Sequence, residues 1–119
     1  MTAGPLRWLL PALLLLPALS VSPAAESKKR ARTPSPARGK AVFEKHCAQC
    51  HSTTDERKIG PGLKGLYQHP NLEESGDPVN DETVRALIEK GGGGGEMPGF
   101  AAKIKPQEMA GLLAYLRKL

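Results

Sequence analysis

Residues 47 to 51 read Cys-Ala-Gln-Cys-His. Two thiols separated by one helical turn can reach the two vinyl groups on one edge of a porphyrin. The histidine that follows at once then lies under the metal. Cys47, Cys50 and His51 therefore have the spacing for covalent attachment of a c-type haem, with His51 as an iron ligand. Attachment turns both sulfurs into thioethers. This accounts for a chain with two cysteines and no useful disulfide.

Three other chemistries use the same residue types. A thiol–disulfide motif needs a strand–helix setting, and no strand pattern precedes Cys47. A zinc site would draw four ligands from Cys47, Cys50, His46, His51 and His69, yet His46 and His51 lack a standard paired spacing. A Cys47–Cys50 disulfide would close a very small loop and gain little stability. The pattern favours haem attachment.

An iron held by His51 needs a sixth ligand. Candidates are Met97, Met109, His46 and His69. Met97 follows a glycine-rich run and precedes Pro98, so its loop can approach a haem closely on a stiffened backbone. Met109 falls on an apolar helical stripe, where methionine usually fills core. His46 sits on the attachment segment itself and cannot reach the opposite haem face. His69 is a lone histidine in a loop. Met97 is the expected ligand.

The elements that must position these groups read as helices joined by loops. A first helix is expected over about residues 38–47. Gly60, Pro61 and Gly62 break the loop that follows, and Pro70, Gly76 and Pro78 break the next. Asn80 is a good N-cap, with Asp81 and Glu82 at the positive end of the helix dipole. Val79 and Val84 can staple that cap, and Val84, Leu87 and Ile88 share a face. The helix ends at Lys90, before five consecutive glycines at 91–95. A last helix starts near Pro106 with Met109, Leu112, Leu113, Leu116 and Leu119 as its stripe. Lys105 is a poor cap for it. No alternating apolar run suggests a strand. The fold class is all-α.

The 119 residues carry a net charge of +5. From Gly39 onward eleven Lys/Arg balance eleven Asp/Glu, so the excess sits upstream. Arg7 and the Leu/Ala/Pro-rich stretch from Trp8 to Leu19 read as a secretory signal peptide. Ser22 and Ala24 suit positions −3 and −1, giving a cut before Ala25; a cut after Ser20 is the second option. The apolar run is shorter than the ~20 residues of a membrane span, and Pro11 and Pro17 interrupt it. Residues 25–38, with Lys28, Lys29, Arg30, Arg32 and Arg38, read as a basic disordered arm. Such an arm could touch an anionic membrane surface or an acidic partner, although a solvated spacer is the plainer reading. The expected organisation is a signal peptide at 1–24, the arm at 25–38 and a haem domain at 39–119. About 95 residues remain after cleavage, a length whose thin core usually needs a ligand or staple.

These residues bring in a resemblance. Over residues 39–119 the chain resembles the class I c-type cytochromes, especially small bacterial single-haem members and the haem domains of terminal oxidases and dehydrogenases. Gly39 and Phe43 precede Cys47 at that family's spacing. Ile59-Gly60-Pro61-Gly62-Leu63 is similar to its loop beside the proximal histidine. Glu96-Met97-Pro98-Gly99-Phe100 is similar to its methionine loop, and Leu112-Leu113-Ala114-Tyr115-Leu116 to its last helix. The resemblance implies a cytochrome c-like fold of three to four helices around one covalent haem c. It implies Cys47 and Cys50 on the vinyls, His51 proximal and Met97 distal. It further implies that the Pro61 carbonyl accepts a hydrogen bond from the His51 ring. Gly39 should let the first helix cross the last one closely, with Phe43 near Leu112 and Tyr115.

Two protein ligands leave no open position on the iron, which suits electron transfer and not an enzyme. The expected function is a periplasmic one-electron carrier. A haem subunit of a larger oxidase or dehydrogenase is the first alternative, and a haem enzyme or sensor with a labile sixth ligand the second. Redox proteins are the implied donor and acceptor, with no nucleic acid, and the state a monomer or loose complex. Lys45, Arg57 and Lys58 are near the attachment site and could steer a partner.

Overall fold

The computed structural model describes residues 33–119. The expected signal peptide and most of the basic arm lie outside the described residues. Among the described residues there are three α-helices: α1 (Pro36–His46), α2 (Asp81–Lys90) and α3 (Pro106–Leu116). Single 3-10 turns lie at Leu66–Gln68 and Gly93–Gly95. The described residues contain no strand, only isolated backbone bridges at Asn71–Pro78 and Gly92–Met97. The all-α expectation holds.

Helix α1 starts two residues earlier than expected, so residues 36–38 form its first turn and not the end of the arm. Pro36 explains the shift. Its fixed φ suits the first helical position, where its missing N–H would have no partner anyway. The Gly39 N–H then closes the turn on Ser35 O at 2.9 Å.

Helix α2 begins as expected. Asn80 Oδ1 accepts from the N–H groups of Glu82 (2.9 Å) and Thr83 (3.0 Å). The Thr83 hydroxyl accepts in return from Asn80 N–H at 3.2 Å, a reciprocal cap. Val84 and Ile88 are buried, and Gly91 ends the helix with φ +85°.

Lys105 caps α3 with no side-chain bond, as its chemistry dictates; Glu108 instead reaches back to accept from Lys105 N–H at 2.9 Å. The helix stops at Leu116, and Leu119 lies in a terminal turn, partly buried against the core.

Helices α1 and α3 cross through glycine. A methyl placed on Gly39 would lie 2.0 Å from Gly111 O, so neither helix could come this close with a side chain there. Phe43 and Tyr115 then meet with ring centroids 5.7 Å apart. Leu112 is fully buried and Met109 is 1% exposed beside this crossing. Burying such side chains contributes roughly 1.5–3 kcal/mol each. Val42, Leu72, Val84, Ile88, Phe100, Ile104, Leu113 and Leu116 complete the core.

Candidate functional site

The last turn of α1 delivers the two thiols. The N–H groups of Cys47 and Ala48 both bond Phe43 O, at 2.8 and 2.9 Å. Those of Cys50 and His51 bond Cys47 O, at 3.0 and 2.9 Å. The pentapeptide is thus a fixed turn hung from α1. Both thiols are free and partly buried. Burial, and secondarily the neighbouring Cys50 sulfur, pushes the Cys47 thiol up to about 11.

His51 lies 2.9 Å through Nδ1 from Pro61 O. A carbonyl only accepts, so Nδ1 carries the proton and donates. Nε2 is left with its lone pair, the form that binds a metal. Gly60 lies flat against this ring: a methyl there would be 2.4 Å from Cε1. Gly60 N–H bonds Cys50 O at 2.8 Å, and Lys58 N–H bonds Gly60 O at 3.0 Å.

Ser52, which the sequence did not single out, organises the same loop. It is the one polar side chain in the buried class among the described residues, 9% exposed. Its hydroxyl donates to Glu56 O at 2.6 Å and also lies 3.1 Å from Thr54 O.

Met97 sits at the end of a closed loop. Gly92 and Met97 exchange backbone bonds at 3.0 and 3.1 Å, and the glycine run between them folds as a 3-10 turn. Phe100 N–H then bonds Ile88 O at 2.9 Å, tying the loop to the end of α2. Gly91 and Gly99 permit this: methyls there would lie 2.4 Å from Met97 O and 2.7 Å from Glu89 O. Met97 is partly buried.

The rival ligands are occupied elsewhere. Met109 is core. His46 stacks edge-on against Phe100, centroids 5.8 Å apart. His69 is exposed. Among the described residues no three His, Cys, Asp or Glu side chains are grouped to hold a metal ion. A helix, not a strand, precedes Cys47.

A haem fits this set. Leu63, Leu66, Tyr67, Val79, Leu87 and Met97 pack on the core while staying only partly buried. Their partial exposure leaves apolar surface that a large apolar plate would cover. The donors are two free thiols beside a correctly protonated imidazole.

Of the cations expected to steer a partner, Lys45 is exposed. Arg57 pairs with Glu73, and Lys58 Nζ donates to Ala48 O at 3.0 Å. Tyr67, Asp81 and Arg117 form a contact the sequence did not reveal. The Tyr67 hydroxyl donates to Asp81 Oδ1 at 2.9 Å, and Arg117 pairs with the same carboxylate while lying over the Tyr67 ring.

The chain matches known proteins in sequence and in fold. Residues 36–119 match the family model described as cytochrome c. The chain is 35% identical over 82 residues to a cytochrome c-553-like protein of Synechocystis, covering 69% of this chain and 67% of that one. It is 32% identical over 97 residues to a cytochrome c of Chlamydomonas reinhardtii, covering 69% and 87%. It is also 24% identical over 91 residues to the cbb3-type oxidase subunit CcoP of Azospirillum, but spans only 31% of that protein. The solved structure of cytochrome c6 from the diatom Phaeodactylum tricornutum shares the fold, with a TM-score of 0.56 at 21% identity over 71% of this chain and 92% of that one.

Proposed function

The chain belongs to the cytochrome c family, and on that footing we propose that it is an exported one-electron carrier working in a bacterial periplasm. One haem c would be held by Cys47 and Cys50, with His51 and Met97 binding its iron. The observation that carries this reading is the His51 imidazole, its Nδ1 2.9 Å from Pro61 O, in the residue that follows two free thiols in the chain.

When bound, the haem iron supplies a single-electron couple between ferric and ferrous states. The residues of this chain do the rest. Pro61 fixes the tautomer and plane of His51, and so strengthens Nε2 as a donor. Met97 brings a thioether, which prefers the reduced metal and raises the potential. Apolar side chains exclude water, which disfavours the more highly charged ferric state. With His51 and Met97 both given to the iron, this reading would leave no position for substrate and no enzymatic role.

Residues 1–24 are its cleaved signal peptide, 25–35 a basic arm and 36–119 the haem domain. No helix among the described residues is long and apolar enough to cross a membrane. Donor and acceptor are redox proteins met in brief, small-interface encounters. A second reading, a haem subunit of an oxidase, has the similarity to CcoP in its favour. Purification from the native source separates the two: the carrier elutes as a free monomer, the subunit with a larger complex.

A redox titration followed at the haem bands tests the function. The reading expects a one-electron Nernst curve and no rapid binding of carbon monoxide. A vacant sixth position with rapid carbon monoxide binding or peroxide turnover would contradict it.

A further inference from the structure

We infer that Ser52 is a positioning residue: its hydroxyl builds the platform that holds Pro61 O on His51 Nδ1, and so sets the ferric–ferrous balance of the iron. The inference rests on the haem reading above and extends it to a residue that touches neither haem nor metal.

The Ser52 hydroxyl has one proton, and Glu56 O at 2.6 Å is its nearest acceptor. The same oxygen lies 3.2 Å from the Thr54 hydroxyl and accepts from Thr54 N–H at 3.3 Å. These bonds curl residues 52–56 into a compact turn. Gly62 lies flat on that turn: a methyl there would be 2.2 Å from Thr54 O and 2.9 Å from Glu56 O. Glu56 O, which takes the Ser52 proton, and Thr54 O, 3.1 Å from the same hydroxyl, are therefore the two carbonyls against which Gly62 rests. Leu63 N–H bonds Ser52 O at 2.9 Å, closing the clasp. Pro61 is the residue immediately before Gly62, and Ser52 the residue immediately after His51. The donor of the His51–Pro61 bond is thus one residue from the hydroxyl-built turn, and the acceptor one residue from the glycine packed on it.

The effect has a defined sign. An Nδ1–H held firmly by a carbonyl makes Nε2 a stronger donor, which favours ferric iron. Loosening the turn lengthens that bond, weakens the donor and favours ferrous iron. Ser52→Ala should shift the ferrous-to-ferric ratio at fixed potential about threefold toward ferrous. At 59 mV per tenfold for one electron this is about +28 mV.

The experiment is spectroelectrochemistry of the holoprotein, with exchange of the His51 Nδ1–H measured by NMR. Ser52→Ala should raise the potential and speed exchange, and Ser52→Thr, which restores the hydroxyl, should return both. An unmoved potential with only a lower unfolding midpoint overturns the inference, as do equal shifts in both variants. Should Ser52→Ala give no holoprotein, the wild type decides. The Thr54 and Leu63 amides and the His51 Nδ1–H should then exchange with one common opening rate, and independent rates overturn the inference. A red wild type with an unmoved Ser52→Ala potential removes this inference alone, whereas a colourless wild type removes the haem reading as well.

Discussion

Gly39 and Gly111 meet backbone to backbone where α1 crosses α3. A methyl on Gly39 would sit 2.0 Å from Gly111 O and 2.5 Å from its carbonyl carbon. Backbone cannot swing aside as a side-chain tip can. Gly39→Ala should therefore push the helices apart and destabilise the holoprotein by about 2 kcal/mol or more. A methyl on Gly111 meets Ser35 O at 3.0 Å and Gly39 N at 3.3 Å, so Gly111→Ala should do less harm. Denaturant unfolding of the two variants gives the order; the reverse order would contradict the crossing.

Met97 and Met109 have separable roles. Met97→Ala should leave the haem attached, open the sixth position and lower the potential by about 0.2 V, a fraction of the ≈0.8 V range set by axial ligands. Met109→Ala should keep the six-coordinate spectrum and lose about 2–5 kcal/mol of stability, because Met109 is 1% exposed in the core. Visible spectra, potentials and unfolding curves of both variants check this. An unchanged potential in Met97→Ala would show that Met97 is not the ligand.

How much of this was legible in the sequence depends on distance along the chain. The attachment turn, the Asn80 cap and the α3 stripe are local patterns, written within a few residues. Gly111 is different. A glycine inside a helix reads as a fault of about 1 kcal/mol until the opposing helix is known. Gly60 reads as a turn former, but its need is the His51 ring lying on it. Ser52 looks like any serine in a polar loop, since nothing local says that its hydroxyl is buried. Pro36 was lost in the composition of the arm around it.

Tyr67 makes stability depend on pH at the alkaline end. Burial raises its phenol above the ordinary 10.0, against the opposing pull of Arg117 and then Arg85. Above pH ~10 the unfolded chain gives up this proton before the folded one does. Fewer protons are then bound in the unfolded state, so stability falls as pH rises. Tyr67→Phe should remove that alkaline decline and lose about 1 kcal/mol at neutral pH with the bond to Asp81. Unfolding midpoints at pH 8 to 11 (roughly the window the shift sets) test it; parallel curves for the two proteins would contradict it.

Double replacement Cys47→Ala with Cys50→Ala should give little holoprotein. Apolar side chains that are only partly buried, Leu63, Leu66, Leu87 and Met97 among them, are left for the haem to cover, and a domain this small has a thin core without it. Expression with a haem-attachment system, read by haem absorbance per mole of chain, checks this. Normal yields of a tightly folded, colourless variant would contradict it.

The central claim is a covalent haem with His51 on its iron. Intact mass of the wild-type protein made with a haem-attachment system, taken together with its visible spectrum, tests it most directly. The account predicts a chain heavier by one haem, both thiols consumed, and a six-coordinate low-spin spectrum. A colourless chain of unaltered mass, with Cys47 and Cys50 free or joined to each other, would contradict it.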